Sequence, residues 1–215
     1  MRVHDPLLLV AALSLCFAAT AQEDDDPGAS APAEVNGRSV ASGGTDSTAL
    51  AIERISSRCY FARREGGLSN AGFVVGDEAV LVVDCFEKPG VARKLLEGVE
   101  KVTALPVKYV VLTHGHYDHC VGNSAMPEGA TILASLEAAE HLSDRVAKDR
   151  LMLQPTAVAH RSLDFTNVRS PDEAAGRDHE IDLGGVRVLL ATVGECHSPG
   201  DLVVIVPEEK VLFAG

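Results

Sequence analysis

Most of the chain after residue 49 alternates between short apolar runs and turns rich in glycine, proline or charge. Such runs, bounded by turn residues, are typical of β-strands. Three pairs of runs predict hairpins: 72–75 with 79–83, 181–183 with 186–193, and 202–206 with 211–213. Single runs predict strands at 52–63, 107–112 and 131–133.

Other segments have helical spacing instead. Between residues 89 and 102 the apolar residues fall on one helix face: Val91, Leu95, Leu96, Val99 and Val102. A second helix is predicted over 136–153 and a short one over 118–126. Hairpins combined with helices predict an α/β fold built in layers around a mixed sheet.

The first 21 residues have the features of a signal peptide. Arg2 gives a basic start, and the apolar stretch 7–19 is too short to span a bilayer comfortably. Ala19-Thr20-Ala21 supplies the small residues of a cleavage site, so the mature chain would begin at Gln22. We therefore expect a periplasmic or secreted protein; the alternative is a buried N-terminal helix.

Residues 22–48 differ in composition from the chain that follows them. They are mainly Ala, Gly, Ser, Pro and Asp and offer little to bury, so we expect a disordered acidic linker. Residues 49–215 then form the folded domain. Leu15 is too large for the usual lipidation motif before Cys16, and we expect no stable membrane anchor.

The overall charge restricts the partners. The chain has 19 Lys and Arg residues against 31 Asp and Glu residues, a formal net charge of −12. A broad basic surface for phosphate backbones is therefore not expected, and a nucleic-acid partner is disfavoured. We expect a small-molecule substrate.

A cluster of histidines and one aspartate follows the strand predicted at 107–112. His114 and His116 are two positions apart, so in an extended segment both side chains point the same way and can share one metal ion. Asp118 and His119 follow where the chain turns into a helix and can face a second centre. The alternative is a solvated, histidine-rich loop.

His197 can complete the first of these sites. It follows another apolar strand, within the segment 194–201, and can deliver a third nitrogen to the metal shared by His114 and His116. Imidazole and carboxylate ligands suit Zn²⁺, with Fe²⁺ or Mn²⁺ as alternatives. We therefore expect one or two metal ions.

At this point the sequence resembles the metallo-β-lactamase superfamily. The resemblance rests on its HxHxDH motif, here residues 114–119, and on the later His-Ser-Pro-Gly element at 197–200. It extends to the strand beginning Asn70-Ala71-Gly72-Phe73, to the strand ending in Asp84 and to the terminal segment 212–215. It covers about residues 52–215 and implies an αββα sandwich with a metal cleft at one edge.

The resemblance also implies a role for each candidate ligand. By it, His114, His116 and His197 hold the first metal, and Asp118 and His119 belong to the second. Asp118 is also the expected catalytic residue, which orients the attacking water and takes its proton.

Two further expectations come from the same resemblance. Asp84 matches a carboxylate that supports the metal ligands without binding the metal itself, the alternative being a simple cap at the end of a strand. The family places a bridging aspartate directly after the Ala-Gly pair and a last histidine further on, whereas this sequence ends at Gly215. We therefore expect a truncated copy of a longer enzyme, with the C-terminal half of the sandwich incomplete.

The resulting functional hypothesis is an exported zinc-dependent hydrolase. A metal-activated hydroxide would attack an ester, thioester, lactone or lactam carbonyl. Three alternatives stay open: a β-lactamase in the narrow sense, a mononuclear iron oxygenase of the same fold acting on persulfides, and a non-catalytic binding module.

The remaining cysteines and histidines receive simpler interpretations. The four cysteines after residue 22 could form up to two disulfides: Cys59, Cys85, Cys120 and Cys196. The last three lie beside candidate site residues and are expected to be small buried hydrophobic residues, with a disulfide or an adventitious metal ligand as the alternatives. His141 is expected on the surface of the helix predicted over 136–153.

Overall fold

The structure is a computed structural model that describes residues 50–64, 67–151, 167–176 and 179–215. The predicted signal peptide (1–21) and linker (22–48) lie outside the described residues. Within these residues, no helix is long and apolar enough to cross a bilayer.

The larger of two sheets has seven strands in sequential order. They are β1 (Leu50–Arg54), β2 (Cys59–Arg64), β3 (Asn70–Val75), β4 (Val80–Val83), β5 (Val107–Val111), β6 (Thr131–Ala134) and β7 (Glu173–Ala174). The first four strands pair antiparallel, and β4 to β7 pair parallel. The sheet is therefore mixed, as predicted.

The smaller sheet is antiparallel and has four strands in the order β11-β10-β9-β8. They are β8 (His179–Asp182), β9 (Arg187–Gly194), β10 (Asp201–Val206) and β11 (Val211–Phe213). A 3₁₀ turn, Pro207–Glu209, joins the last two strands.

Helices cover one face of the seven-stranded sheet. They are α1 (Pro89–Val102), α2 (Tyr117–Cys120), the 3₁₀ helix Val121–Ala125 and α3 (Leu136–Leu151). Buried residues of α1 and α3 share one hydrophobic core with the sheet face beneath them. The other face of that sheet packs against the four-stranded sheet in a second core.

Strand β4 shows how the sequence produces these layers. Val80 and Val82 belong to the core beneath the helices, whereas Leu81 and Val83 belong to the core between the sheets. A strand buried on both faces is apolar at every position, which is why 80–83 is a continuous run. The predicted α/β class is confirmed, and the described residues form the helix, sheet and sheet layers of the expected sandwich.

The two sheets meet at the edge where β4 and β5 end. The backbone N–H of Asp84 donates to the carbonyl of Val111 (2.9 Å), which joins the ends of the two parallel strands. The N–H of Leu202 in β10 donates to the carbonyl of Thr113 (2.8 Å), just beyond β5. The loops that follow β4, β5 and β9 therefore converge at one place.

Two details of the sequence prediction were wrong. The segment 52–63, predicted as one strand, is the hairpin of β1 and β2, because the chain turns at 55–58. The Arg54 side chain stabilises that turn by donating to the carbonyls of Ser56 (2.9 Å) and Ser57 (2.7 Å). Strand β7 was not predicted, because two residues carry no periodicity.

Candidate metal centre

Three histidines converge where the two sheets meet. His114 and His116 lie in the segment between β5 and α2, and His197 lies in the loop between β9 and β10. Each offers one ring nitrogen, and these three atoms all lie within 4.8 Å of one another. His116 Nδ1 and His197 Nε2 are 3.0 Å apart, so these two nitrogens face each other.

His114 is the buried member of this group, with 3% of its surface exposed. Its Nδ1 lies 3.0 Å from the hydroxyl oxygen of Thr113, whereas its Nε2 is buried without a hydrogen-bond partner among the described residues. A buried polar atom without a partner is costly. A metal ion coordinated by Nε2 would satisfy it, so the residues present fit a metal.

The electrostatics of His114 also favour metal binding. Burial, aided by nearby His119, lowers the pKa of His114 to about 4 against an opposing effect of Asp84. The imidazole is therefore neutral at pH 7. Metal ligation requires the neutral form of histidine.

Asp84 organises the buried side of the cluster. Its carboxylate accepts the backbone N–H of Thr113 (2.8 Å) and the Thr113 hydroxyl (2.9 Å). Its Oδ2 also lies 2.7 Å from His119 Nδ1. Asp84 therefore contacts His119 directly and His114 through Thr113. A residue that only capped the strand would make neither of these contacts.

Asp118 and His119 lie beside the three histidines. His119 Nε2 is 3.6 Å from Asp118 Oδ2, and the His119 ring centroid is 4.2 Å from that of His114. Burial alone lowers the pKa of His119, but the charge and hydrogen bond of Asp84 outweigh it, so the pKa is raised. Within the described part of the chain, His114, His116 and His197 are the only three-ligand group, and these two residues adjoin it.

The loop that carries His197 is closed by Asp201, which the sequence analysis did not single out. The Asp201 carboxylate accepts the backbone N–H of His197 (2.5 Å) and the hydroxyl of Ser198 (2.6 Å). Burial raises the pKa of Asp201, but these hydrogen bonds outweigh burial and lower it. A carboxylate that accepts loop N–H groups has no distinctive sequence pattern, so the only hint was its position four residues after His197.

His141 lies nearer the cluster than predicted. It is half-buried on α3 rather than on the open surface, and its ring centroid is 5.8 Å from that of His116. A Cβ at Gly115 would lie 2.9 Å from both the His141 ring and the Ala138 carbonyl oxygen. The absence of a side chain at Gly115 thus lets α3 approach the metal-binding segment.

Two cysteines pack behind the cluster as thiols. Cys85 donates to the carbonyl of His119 (3.1 Å) and Cys120 to the carbonyl of His114 (2.9 Å). Burial raises the pKa of both thiols well above the usual range, so both are protonated at pH 7. The four cysteines of the described residues form no disulfide; Cys59 is buried too, whereas Cys196 is exposed, against expectation.

Sequence comparison gives one family match. The sequence model described as the metallo-beta-lactamase superfamily matches residues 64–215, well over half of the chain. No curated protein sequence matches significantly.

Solved structures with a similar fold agree with that match. A metallo-beta-lactamase from Pontibacter korlensis superposes with a TM-score of 0.61 at 22% identity, covering 78% of this chain and 71% of that one. Metallo-beta-lactamase IND-7 gives a TM-score of 0.57 at 21% identity, covering 77% and 70%. A double mutant of the sec-alkyl sulfatase PisA1 gives 0.58 at 16% identity, covering 77% and 31%. At these identities the likeness shows the fold alone.

Proposed function

Because the chain belongs to the metallo-beta-lactamase superfamily, we propose that it is a zinc-dependent hydrolase. The observation that carries this proposal is the convergence of three imidazole nitrogens within 4.8 Å. Membership of the superfamily supports a hydrolase or a related metalloenzyme. The reaction and the metal are our inference from the donor set.

The three histidines would hold the metal through His114 Nε2, His116 Nδ1 and His197 Nε2. Three nitrogen ligands would leave a fourth position open, which is typical of catalytic rather than structural zinc sites. Zinc held there would supply two kinds of chemistry: it would lower the pKa of a coordinated water to about 7, and it would polarise a carbonyl group. Fe²⁺ and Mn²⁺ accept the same ligand types.

Asp118 is the residue that we propose as the catalytic base. Its side chain is 19% exposed and adjoins the histidines through His119. A carboxylate there can orient the attacking water and accept its proton. The proposed substrates are esters, thioesters, lactones or lactams, whose carbonyl carbon is the point of attack.

Export is a second part of the proposal. It is supported by the basic start, apolar stretch and small residues of positions 1–21. The N-terminus of the protein secreted by its native host should be Gln22. A soluble protein that retains Met1 would contradict export.

The experiment for the metal site is elemental analysis of the purified full chain. The wild type should contain about one zinc ion per chain, because three histidines and water complete a tetrahedral set. His116→Ala should lose it. His179→Ala is the matched control, since His179 lies on β8, outside the cluster, and should leave the zinc content unchanged.

Activity assays on the same preparation then separate the possible functions. We expect turnover of at least one ester, thioester, lactone or lactam, with His116→Ala inactive. Hydrolysis of nitrocefin alone would indicate a β-lactamase in the narrow sense. Iron without zinc, together with persulfide oxidation, would replace the hydrolase by an oxygenase. Stoichiometric metal without any turnover would indicate a binding module.

A further inference from the structure

The least buried of the three histidines depends most on its backbone. His114 is buried and His116 is half-buried, so packing restricts both rings, whereas His197 is exposed. An exposed ring keeps its direction only if the peptide that carries it is held. The loop around His197 therefore needs an anchor of its own.

Asp201 provides that anchor. With 8% of its surface exposed, it accepts the N–H of His197 (2.5 Å), the N–H of Ser198 (3.1 Å to each oxygen) and the Ser198 hydroxyl (2.6 Å). Every partner in this set is a donor. An ionised carboxylate accepts on both of its oxygens and carries no O–H to oppose these donors. Hydrogen bonds to a charged acceptor are stronger than those between neutral groups.

The anchor is tied to the rest of the cluster. Asp201 begins β10, and the N–H of the next residue, Leu202, donates to the carbonyl of Thr113. Thr113 directly precedes His114 in the chain. Asp201 and one backbone hydrogen bond therefore connect the peptide of His197 to the segment that carries the other two histidines.

We propose that Asp201 is the positioning residue for His197: it fixes the His197 peptide so that the ring completes the three-histidine site. This inference rests on the proposed metal site. Asp201 acts through His197 and is not itself a ligand, since its carboxylate oxygens are taken by loop donors. Residues that orient metal ligands in this way contribute about 10–100-fold to metal affinity.

The test compares Zn²⁺ affinities of full-length variants, measured by competition with a chromophoric chelator. Asp201→Asn puts an amide NH₂ group against N–H donors, and we expect Zn²⁺ to bind about 10–100-fold more weakly. Ser198→Ala removes one donor and should weaken binding by a smaller factor. Asp182→Asn is the matched control, because Asp182 also accepts a loop N–H, that of Gly184 (2.9 Å), but outside the cluster.

A double-mutant cycle distinguishes positioning from a general structural role. In a His197→Ala background, Asp201→Asn should change the residual Zn²⁺ affinity little, because the residue that it positions is gone. The visible spectrum of bound Co²⁺ should change in Asp201→Asn in the same direction as in His197→Ala. If Asp201→Asn fails to fold, the same double-mutant cycle is measured with Ser198→Ala in its place.

The outcomes separate this inference from the proposed function. A wild-type chain that binds neither Zn²⁺ nor Co²⁺ overturns the metal site itself. Wild-type binding with unchanged affinity in Asp201→Asn overturns the positioning role alone. A loss of affinity that persists in full when His197 is already absent also overturns it, since it would indicate a general loss of structure.

Discussion

Asp84 is the residue on which the buried hydrogen bonds of the site converge. It is 2% exposed, and its backbone has a φ of 60°, in the left-handed region that non-glycine residues rarely adopt. Strain of this kind persists only where the surroundings hold it. Here the Thr113 N–H and hydroxyl and the His119 ring surround the carboxylate.

The substitution Asp84→Asn tests the carboxylate without disturbing the backbone, because Asn tolerates the left-handed region. One oxygen is replaced by an NH₂ group, so one buried acceptor for Thr113 or His119 is lost. We expect the free energy of unfolding in urea to fall by about 2 kcal/mol. Asp182→Asn removes an exposed carboxylate and should cost less than about 1 kcal/mol; an equal loss in both variants would contradict the role of Asp84.

Residue identity singled out the candidate metal ligands more readily than the residues that hydrogen-bond to them. The histidines of 114–119 were recognisable because their spacing is local, and His197 because it follows a strand. Thr113 and Asp201 were missed because their hydrogen bonds have no sequence pattern: Thr113 donates its N–H to the distant Asp84, and Asp201 accepts the backbone N–H of His197. Asp84 was identified from the resemblance, not from its own chemistry.

At the scale of elements, the loop after β4 must fit closely against the 3₁₀ helix that follows α2. The N–H of Gly122 donates to the carbonyl of Phe86 (2.8 Å), and a Cβ at Gly122 would lie 1.8 Å from the carbonyl oxygen of Cys85. That oxygen is backbone and cannot rotate away. The close approach holds Asp84 and His119 together.

Gly122→Ala should therefore separate these elements. We expect a loss of about 3 kcal/mol in the free energy of unfolding, together with weaker Zn²⁺ binding. Gly90→Ala is the control within α1, where a new Cβ has nothing within 4 Å and alanine is the better helix former. That variant should be neutral or more stable by up to about 1 kcal/mol, and similar behaviour of the two variants would exclude the steric explanation.

The sequence was a better guide to the elements than to the turns between them. Helix α1 has the predicted bounds, 89–102, because a full apolar face specifies it. The β1–β2 turn was missed because residues 55–58 contain neither glycine nor proline, and the local hydrogen bonds from the Arg54 side chain that stabilise it leave no recognisable sequence pattern. The helix predicted over 118–126 is one α-helical turn followed by a 3₁₀ helix.

At the scale of the whole molecule, Glu209 joins the two sheets at a point outside the histidine cluster. It lies in the turn between β10 and β11 and accepts the Ser57 hydroxyl (2.5 Å) and the Arg58 N–H (3.1 Å) of the β1–β2 turn. Burial raises the pKa of Glu209, but hydrogen bonds from Ser56, Ser57 and Arg58 outweigh burial and lower it. The folded state therefore favours the ionised form.

This shift predicts acid sensitivity. A carboxylate with a lowered pKa stabilises the fold above its unfolded pKa, about 4.3 for Glu, and that contribution is lost as the pH falls further. Glu209→Gln should lower the free energy of unfolding by about 1 kcal/mol at pH 7 and by less at pH 3.5. Glu208→Gln, which breaks only an exposed pair with Arg187, should have little effect at either pH. An equal loss at both pH values in Glu209→Gln would contradict the ionised contact.

The meeting of the two sheets at the histidines has a consequence for unfolding. His116 and His197 are 81 positions apart in the chain, and the loops that carry them follow strands of different sheets. A metal ion held by both would join the two sheets in the folded chain only, because its nitrogen ligands separate when the chain unfolds. By mass action it would stabilise the fold by about 2.7 kcal/mol at a free metal concentration about 100 times its dissociation constant. Separation of the sheets would release the ion, so a chelator would lower the free energy of unfolding without breaking a covalent bond.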